Sequence, residues 1–221
     1  MDAEKVIMDV RKQVAGCTKC KLNLSRNKVV PGEGPANSQI MFIGEAPGFH
    51  ENNQGQPFVG AAGSFLDELL AKAGLKREEV FITNVIKCRP PANRDPEPEE
   101  LEACRPYLDA QIEAINPKVI VTLGRFSMAY FIENGKISAI HGHPRIVNGR
   151  LVVPMYHPAA ALHQPALRST LLEDFSKIPD FIHGNDNPHF EQPEPKPITS
   201  QDPEVKPELK DYQGKQLSLF D

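Results

Sequence analysis

The sequence predicts an α/β fold, a three-layer αβα domain in which helices cover both faces of a central, mainly parallel sheet. Four short segments rich in β-branched residues alternate with amphipathic segments, and these strand-like segments are apolar at nearly every position. Strands that are apolar throughout are typical of parallel sheets buried on both faces. We therefore expect one domain over residues 1–178, followed by a disordered tail over residues 179–221.

The predicted strands and helices alternate along the chain. The strands are segments 39–44, 80–86, 118–124 and 151–156, and the helices are segments 63–74, 97–115 and 125–135. Gly74 ends the first of these helices as a stop signal. Ligands of such sheets bind at the carboxyl ends of the strands. These ends fall at Gly44, near Asn84, at Gly124 and at His157.

The C-terminal segment differs from the rest in composition. It holds six prolines between positions 188 and 207 and few apolar residues, so it cannot bury enough surface to fold. It also accounts for the net charge of −4, because residues 181–221 hold eight acidic and four basic residues. The remaining chain is neutral, which neither supports nor excludes DNA as a ligand.

The composition favours a cytoplasmic protein that does not associate with membranes, and we expect a monomer. No apolar run approaches the roughly 18 residues that a membrane span needs, and residues 1–14 are too charged for a signal peptide. Disulfides are rare in the cytoplasm, so grouped cysteines there more often bind a metal or act in catalysis.

Four cysteines form a candidate metal site. Cys17 and Cys20 make a CxxC pair, and Cys88 and Cys104 follow almost seventy residues later. Cys104 lies on the apolar face of a predicted helix, where a free cysteine can also be an ordinary core residue. Structural zinc sites with four cysteines usually use two CxxC pairs, whereas an iron–sulfur cluster accepts less regular spacing. The spacing alone leaves zinc, iron–sulfur and a purely structural role open.

The loop GEAPGFHENNQGQPFVGAAG, residues 44–63, is the strongest candidate for a ligand-binding loop. Seven of its twenty residues are glycine or proline, so its backbone can approach a ligand closely. It lacks both the dinucleotide-binding pattern GxGxxG and the phosphate-binding pattern GxxxxGK[ST]. It carries two carboxylates, Glu45 and Glu51, and an aromatic ring, Phe58, which is suited to stack on a planar ligand or to fill the core.

Two further polar side chains stand where strands end. Asn84 offers amide donors and an acceptor in one plane, which suits the edge of a nucleobase. His157 follows the last strand, and Pro158 fixes the backbone beside it. Each is more often structural when taken alone. Together with the carboxylates and the aromatic ring of the loop, they indicate an active site at one edge of the sheet.

These motifs resemble those of the family 4 uracil-DNA glycosylases, the iron–sulfur branch of the uracil-DNA glycosylase superfamily. GEAPG is similar to the first motif of that family, GQPFVGAAG to its aromatic loop, TNVIKCRPP to its asparagine-bearing strand, and HPAA to its second motif. The motifs keep their order and spacing over residues 1–178. The resemblance implies hydrolysis of the N-glycosidic bond of uracil in single- and double-stranded DNA, as a step of base excision repair.

The resemblance also implies roles for the uracil-binding and catalytic residues. Phe58 would stack on the base, and Asn84 would read its N3–H and O4 edge. His157 would hydrogen-bond O2 of the leaving uracil, and backbone N–H groups around Ala46 would add to this.

The two carboxylates would share the remaining tasks. Glu45 would orient the attacking water and balance the positive sugar. Glu51 would wall the pocket where the methyl group of thymine would lie, although the two roles are interchangeable at this level. A broader activity on deaminated bases, and an iron–sulfur DNA-binding module without catalysis, remain alternative functions.

A 4Fe–4S cluster and contacts with DNA follow from the same resemblance. The cluster ligands would be Cys17, Cys20, Cys88 and Cys104, and the cluster would have a structural role. The candidate DNA contacts, each also explicable as a surface polar group, are Arg89, Asn93, Arg94, His143, Arg145 and Arg168.

Residues 216–220 read QLSLF, which resembles the short peptides with which bacterial DNA-processing proteins bind the sliding clamp. Gln216 would bond at the mouth of the clamp groove, and the apolar anchors would be Leu217, Leu219 and Phe220. The alternative is an incidental apolar end.

Overall fold

Five strands form one sheet in the computed structural model, which describes residues 2–184. They are β1 (Ile40–Gly44), β2 (Phe81–Asn84), β3 (Val119–Leu123), β4 (Arg145–Val147) and β5 (Arg150–Met155). Their order in the sheet is β2-β1-β3-β5-β4. All neighbouring pairs are parallel except β4 and β5. The predicted mainly parallel sheet is therefore confirmed.

Helices cover both faces of the sheet, which confirms the three-layer fold. Over the described residues the α-helices are α1 (Ala3–Ala15), α2 (Phe49–Gln54), α3 (Ala61–Lys72), α4 (Pro98–Ile115), α5 (Arg125–Ala129), α6 (Ile137–Ile140), α7 (Pro158–His163), α8 (Ala166–Ser176) and α9 (Ile178–Gly184). Short 3-10 helices lie at Lys21–Leu24, Arg77–Glu79 and Pro91–Asn93. Apolar side chains of α3, α7, α8 and α9 pack on one face, and those of α1 and α4 pack on the other.

Strand β1 shows how the two cores arise. Phe42 points into the core under α3 and α8, whereas Met41 and Ile43 point into the core under α1 and α4. Successive side chains of a strand face opposite sides, so a strand between two helical layers must be apolar at every position. All five residues of β1 are buried.

Helix α4 is held at both ends by local interactions. Pro98 occupies the first turn, where its missing N–H is not needed. The Glu100 carboxylate accepts a hydrogen bond from the Glu97 N–H at 2.8 Å and pairs with the Arg94 guanidinium at 2.6 and 2.9 Å. The helix ends at Asn116 in the left-handed conformation, with φ of 46°. These bonds fix the loop before α4, which borders the site described below.

Several elements differ from the prediction: α2, α6, α7 and α8 were not predicted, and the helix predicted over 125–135 ends at Ala129. Strand β4 was not predicted, because it is three residues long and mostly exposed, without a periodic apolar pattern. Helix α9 extends the folded part to residue 184, so the predicted boundary at residue 178 is too early. Ile178 and Phe181 are buried in the main core and anchor this helix. The rest of the predicted tail, including QLSLF, lies outside the described residues. Within residues 2–184, none of the helices has the length and apolar character that crossing a membrane requires.

Candidate active site

The carboxyl ends of four parallel strands open onto one cavity of about 330 Å³. This position agrees with the general location of ligand sites in such sheets. Residues predicted for the site that line it are Glu45, Ala46, Glu51, Phe58, Asn84, Asn93, Arg94 and His157. The structure thus brings these residues together, and their individual roles stay predictions. Asp95, Arg125 and Tyr156 also line the cavity and were not predicted.

Asn84 ends β2 with its side chain only 1% exposed. Its Oδ1 has no hydrogen-bond partner among the described residues. A buried acceptor without a partner costs roughly 1–3 kcal/mol, which a ligand N–H would recover. Gly44 provides the space for this side chain. A Cβ at position 44 would overlap Asn84 Oδ1 and would lie 2.7 Å from Phe58 Cζ.

Phe58 lies where the loop crosses the edge of the sheet, in the left-handed conformation with φ of 52°. Its side chain is 6% exposed and belongs to the core under α3. The same ring also lines the cavity and lies 5.6 Å from the His157 ring, centroid to centroid, with 26° between the planes. The two interpretations of Phe58 are therefore compatible, because it is a core residue that presents a flat apolar wall to the cavity.

Glu51 fastens this loop through both carboxylate oxygens. Its Oε1 accepts hydrogen bonds from the N–H groups of Val59 at 2.8 Å and Gly60 at 3.0 Å, and its Oε2 accepts one from Gly48 at 3.1 Å. Hydrogen bonds to a charged acceptor are among the stronger ones in proteins. With three backbone donors on its oxygens, Glu51 has little capacity left to orient water. Glu45 is therefore the candidate for that task, and the division of roles between the two carboxylates stays a prediction.

His157 precedes α7 and caps it. Its Nδ1 accepts a hydrogen bond from the Ala159 N–H at 3.1 Å, so in the neutral ring the proton resides on Nε2. Burial lowers the pKa of the imidazole to about 4, against a smaller upward effect of the Glu51 carboxylate. At neutral pH the ring is therefore uncharged, with Nε2–H as its available donor.

Glu45 follows β1 directly and is half-buried at the cavity wall. Burial raises the pKa of its carboxyl to about 7, the negative Asp95 adds to this rise, and the positive Arg125 partly offsets it. Asp95 and Arg125 form an exposed ion pair at the cavity mouth. At neutral pH the carboxyl is thus poised between its charged and neutral forms, as a general base requires.

Three of the predicted DNA contacts lie at the cavity mouth or beside it. Asn93 and Arg94 line the cavity, and the guanidinium of Arg94 is engaged by Glu100. Arg89 Nε donates to Asn93 Oδ1 at 2.7 Å, and its guanidinium lies over the ring of Phe49. This cluster positions the loop that forms one side of the cavity.

The other three predicted contacts lie outside the cavity lining. Arg145 is exposed on edge strand β4, and His143 is exposed just before it. Arg168 is exposed on α8 and pairs with Glu68 of α3 at 2.5 Å. A contact at these positions would therefore involve DNA beyond the nucleotide in the cavity.

The four cysteines line a second, smaller cavity next to α1. All four are free of disulfides. In residues 2–184, no three cysteine, histidine or carboxylate side chains are arranged to hold a single metal ion. A zinc ion draws all its sulfurs to about 2.3 Å from one point, whereas a four-iron cluster takes each thiolate on a different iron. Which metal centre these cysteines bind stays a prediction.

The charge around this cavity also suits a cluster. Arg26 Nη1 lies 3.3 Å from Cys88 Sγ and donates to it. Burial raises the pKa of the Cys104 thiol to about 11, so a thiolate is stable there only beside strong positive charge. A bound metal centre supplies such charge, and the residues present therefore fit it.

Comparison with known proteins identifies the family. The model of the uracil-DNA glycosylase superfamily matches residues 31–177. A type-4 uracil-DNA glycosylase of Sulfurisphaera tokodaii is 51% identical over 179 residues, which are 76% of this chain and 81% of the relative. The type-4 enzyme of Thermotoga maritima is 46% identical over 184 residues, which are 81% of this chain and 96% of the relative. A type-5 uracil-DNA glycosylase of Thermus thermophilus is 33% identical over 149 residues, which are 58% of this chain and 68% of the relative. The chain therefore belongs to the uracil-DNA glycosylase superfamily, in which it groups with the type-4 enzymes.

Proposed function

We propose that this protein removes uracil from DNA by hydrolysing its N-glycosidic bond, the first step of base excision repair. The unpaired Oδ1 of Asn84 carries the proposal. Uracil presents an N3–H donor to this oxygen, whereas cytosine presents a lone pair at N3 and would leave the oxygen unpaired. The names of the type-4 relatives support the same activity.

The cavity can receive a base only after that base leaves the DNA stack. Enzymes that act on bases extrude the nucleotide into such a pocket and read its Watson–Crick edge. In this site, the flat face of Phe58 stacks on the uracil ring while the Asn84 amide pairs with N3–H and O4. Glu51, which lines the cavity, would border the space that the methyl group of thymine would occupy.

His157 stabilises the leaving group. When the C1′–N1 bond breaks, its electron pair passes to uracil, and negative charge grows on N1 and O2. The neutral ring donates Nε2–H to O2, because Nδ1 is already held by the Ala159 N–H. A donor aimed at developing charge contributes on the order of 3 kcal/mol to catalysis.

Glu45 acts on the sugar side of the broken bond. Its carboxylate accepts a proton from the attacking water, whose oxygen bonds to C1′, and its negative charge balances the positive sugar. The raised pKa makes Glu45 a stronger base than an ordinary carboxylate. Burial is the main cause of this rise, and the charges of Asp95 and Arg125 adjust it in opposite directions.

Cys17, Cys20, Cys88 and Cys104 hold a 4Fe–4S cluster in this proposal. When bound, the cluster cross-links three parts of the chain, namely the segment after α1, the end of β2 and helix α4. Asn84 and Cys88 lie only four residues apart, so the cluster also anchors the segment that reads the base. The free thiols fit the cytoplasmic location predicted from the sequence.

The sequence QLSLF supports a second, separable interaction with the sliding clamp. Leu217, Leu219 and Phe220 supply apolar anchors, and Gln216 supplies a polar one. A chain of roughly thirty residues links them to α9, so clamp binding would raise the concentration of the catalytic domain near newly replicated DNA.

The first prediction concerns uracil release and His157. The purified protein should release uracil from labelled oligonucleotides that hold uracil in a single strand or opposite guanine or adenine. His157→Ala should slow the single-turnover rate by about 10²–10³-fold and leave DNA binding nearly intact, because its hydrogen bond strengthens mainly in the transition state. DNA binding without release by the wild-type protein would instead support a non-catalytic module, and release of hypoxanthine would indicate broader scope.

The second prediction is an acidic limb in the pH–rate profile. The carboxylate of Glu45 is the active form, and its pKa is raised to about 7, so the single-turnover rate should fall about tenfold per pH unit well below pH 7. Above about pH 8 the rate should be constant. Glu45→Gln should be slow and should lack this limb. A limb near pH 7 that persists in Glu45→Gln would assign it to another group.

The third prediction concerns the metal. Protein prepared without oxygen should be brown and should contain about four iron and four sulfide per chain. Cys104→Ala should lose iron and colour, whereas a conservative change at an exposed position, such as Lys72→Gln, should retain both. Zinc found in place of iron and sulfide would overturn the cluster assignment.

The fourth prediction separates the tail from the active site. Deletion of residues 216–221 should leave excision on short oligonucleotides unchanged and abolish binding to the sliding clamp of the same organism. Titration calorimetry with the tail peptide provides the direct measurement. No heat of binding at ~100 μM peptide, roughly 5.5 kcal/mol of affinity, would refute the clamp interaction.

A further inference from the structure

The mouth of the cavity carries an ion pair whose two partners are both exposed. Asp95, in the loop before α4, and Arg125, at the start of α5, line the cavity and bond to each other. Each side chain is 63% exposed. Exposed ion pairs contribute little to stability, because water and salt screen them. The free protein therefore loses little when this pair separates, and the proposed mechanism gives neither residue a contact with the substrate.

Arg125 is the cation at this cavity that is able to change its partner. Among the described residues, the arginine and lysine side chains that line the cavity are Arg94 and Arg125. The Arg94 guanidinium donates to the Glu100 carboxylate at 2.6 and 2.9 Å, and Glu100 is only 2% exposed. Removal of Arg94 from this bond would leave a buried charge unpaired, which is costly. Arg125 has no such commitment, because its carboxylate partner lies in solvent.

Arg125 also lies on the side of the cavity that takes the sugar of the substrate. Glu45, which acts on the sugar in the proposed mechanism, lines the same cavity. The pKa of its carboxyl is raised mainly by burial, but the charges of Asp95 and Arg125 also act on it, which places both charges near Glu45. The base lies beside Asn84 in that mechanism, so the phosphates on C3′ and C5′ of the sugar lie towards the mouth.

We propose that Arg125 binds a backbone phosphate next to the extruded uridine, and that it exchanges the Asp95 carboxylate for this phosphate when DNA enters. This inference rests on the proposed function and adds a contact to those predicted from the sequence. A guanidinium forms paired hydrogen bonds with phosphate as it does with carboxylate, so the exchange conserves its bonds. Asp95 holds Arg125 at the mouth in the free protein and competes with the phosphate for it.

The test measures binding of a single-stranded oligonucleotide that carries one 2′-fluoro-2′-deoxyuridine. Fluorine at C2′ disfavours the positive sugar, so this nucleotide resists hydrolysis and the complex persists. Arg125→Gln should weaken binding by about tenfold and lower the slope of log Kd against log salt by about one. Asp95→Asn should tighten binding by about threefold, because the carboxylate no longer competes. The matched changes in an exposed ion pair of α1, Asp9→Asn and Lys12→Gln, should have neither effect.

A second oligonucleotide locates the phosphate. It carries neutral methylphosphonates in place of the two phosphates that flank the fluorinated nucleotide. The loss of affinity caused by this replacement should be about tenfold smaller in Arg125→Gln than in the wild-type protein, because the variant has already lost the contact. An equal loss in the two proteins would show that Arg125 contacts neither phosphate and would overturn the proposal.

The exchange of partners is tested by the double variant. In the Arg125→Gln background, Asp95→Asn should no longer tighten binding. Tightening that persists there would mean that Asp95 only repels DNA, and it would overturn the exchange. Circular dichroism establishes that each variant is folded, and Arg125→Lys, which keeps the charge but not the paired hydrogen bonds, replaces the glutamine variant if the latter is not recovered. Uracil release by the wild-type protein is measured separately, so failure of the proposed function is distinct from an equal loss on the second oligonucleotide.

Discussion

The active site depends on the missing Cβ at Gly44. Parallel strands bring β1 and β2 to within one strand spacing of each other, so the residue that ends β1 faces the residue that ends β2. The side chain of Asn84 and the ring of Phe58 both occupy the space that a side chain at position 44 would fill. The Asn84 amide, the ring of Phe58 and the end of β1 can share this edge only because Gly44 contributes no side chain.

Burial shifts the pKa values of the ionisable groups at the site. His157 is neutral because it is buried, and Glu45 holds its proton more tightly for the same reason. Burial lowers the pKa of Lys87 to about 8, and its Nζ donates to three acceptors. In the proposed mechanism, a neutral donor at His157 and a carboxylate at Glu45 match the separation of charge when a glycosidic bond breaks.

The sequence predicted the sheet and the lining of the cavity because both follow from local patterns. Apolar runs marked four of the five strands, and strand ends marked Asn84 and His157. It could not reveal β4, which has no apolar periodicity, or α9, whose Ile178 and Phe181 are buried only by tertiary packing. Nor could it reveal the hydrogen bonds of Glu51 and Lys87, which form only in the folded chain.

The three hydrogen bonds of Glu51 also limit how this enzyme can change over evolution. The side chain that borders the space next to the base is the same one that fastens the loop carrying Phe58. A mutation that shortens it also releases the backbone of Val59 and Gly60. In the role proposed for Glu51, selectivity against thymine and the rigidity of the loop are therefore inherited together, and a new substrate range requires a second mutation that re-anchors the loop.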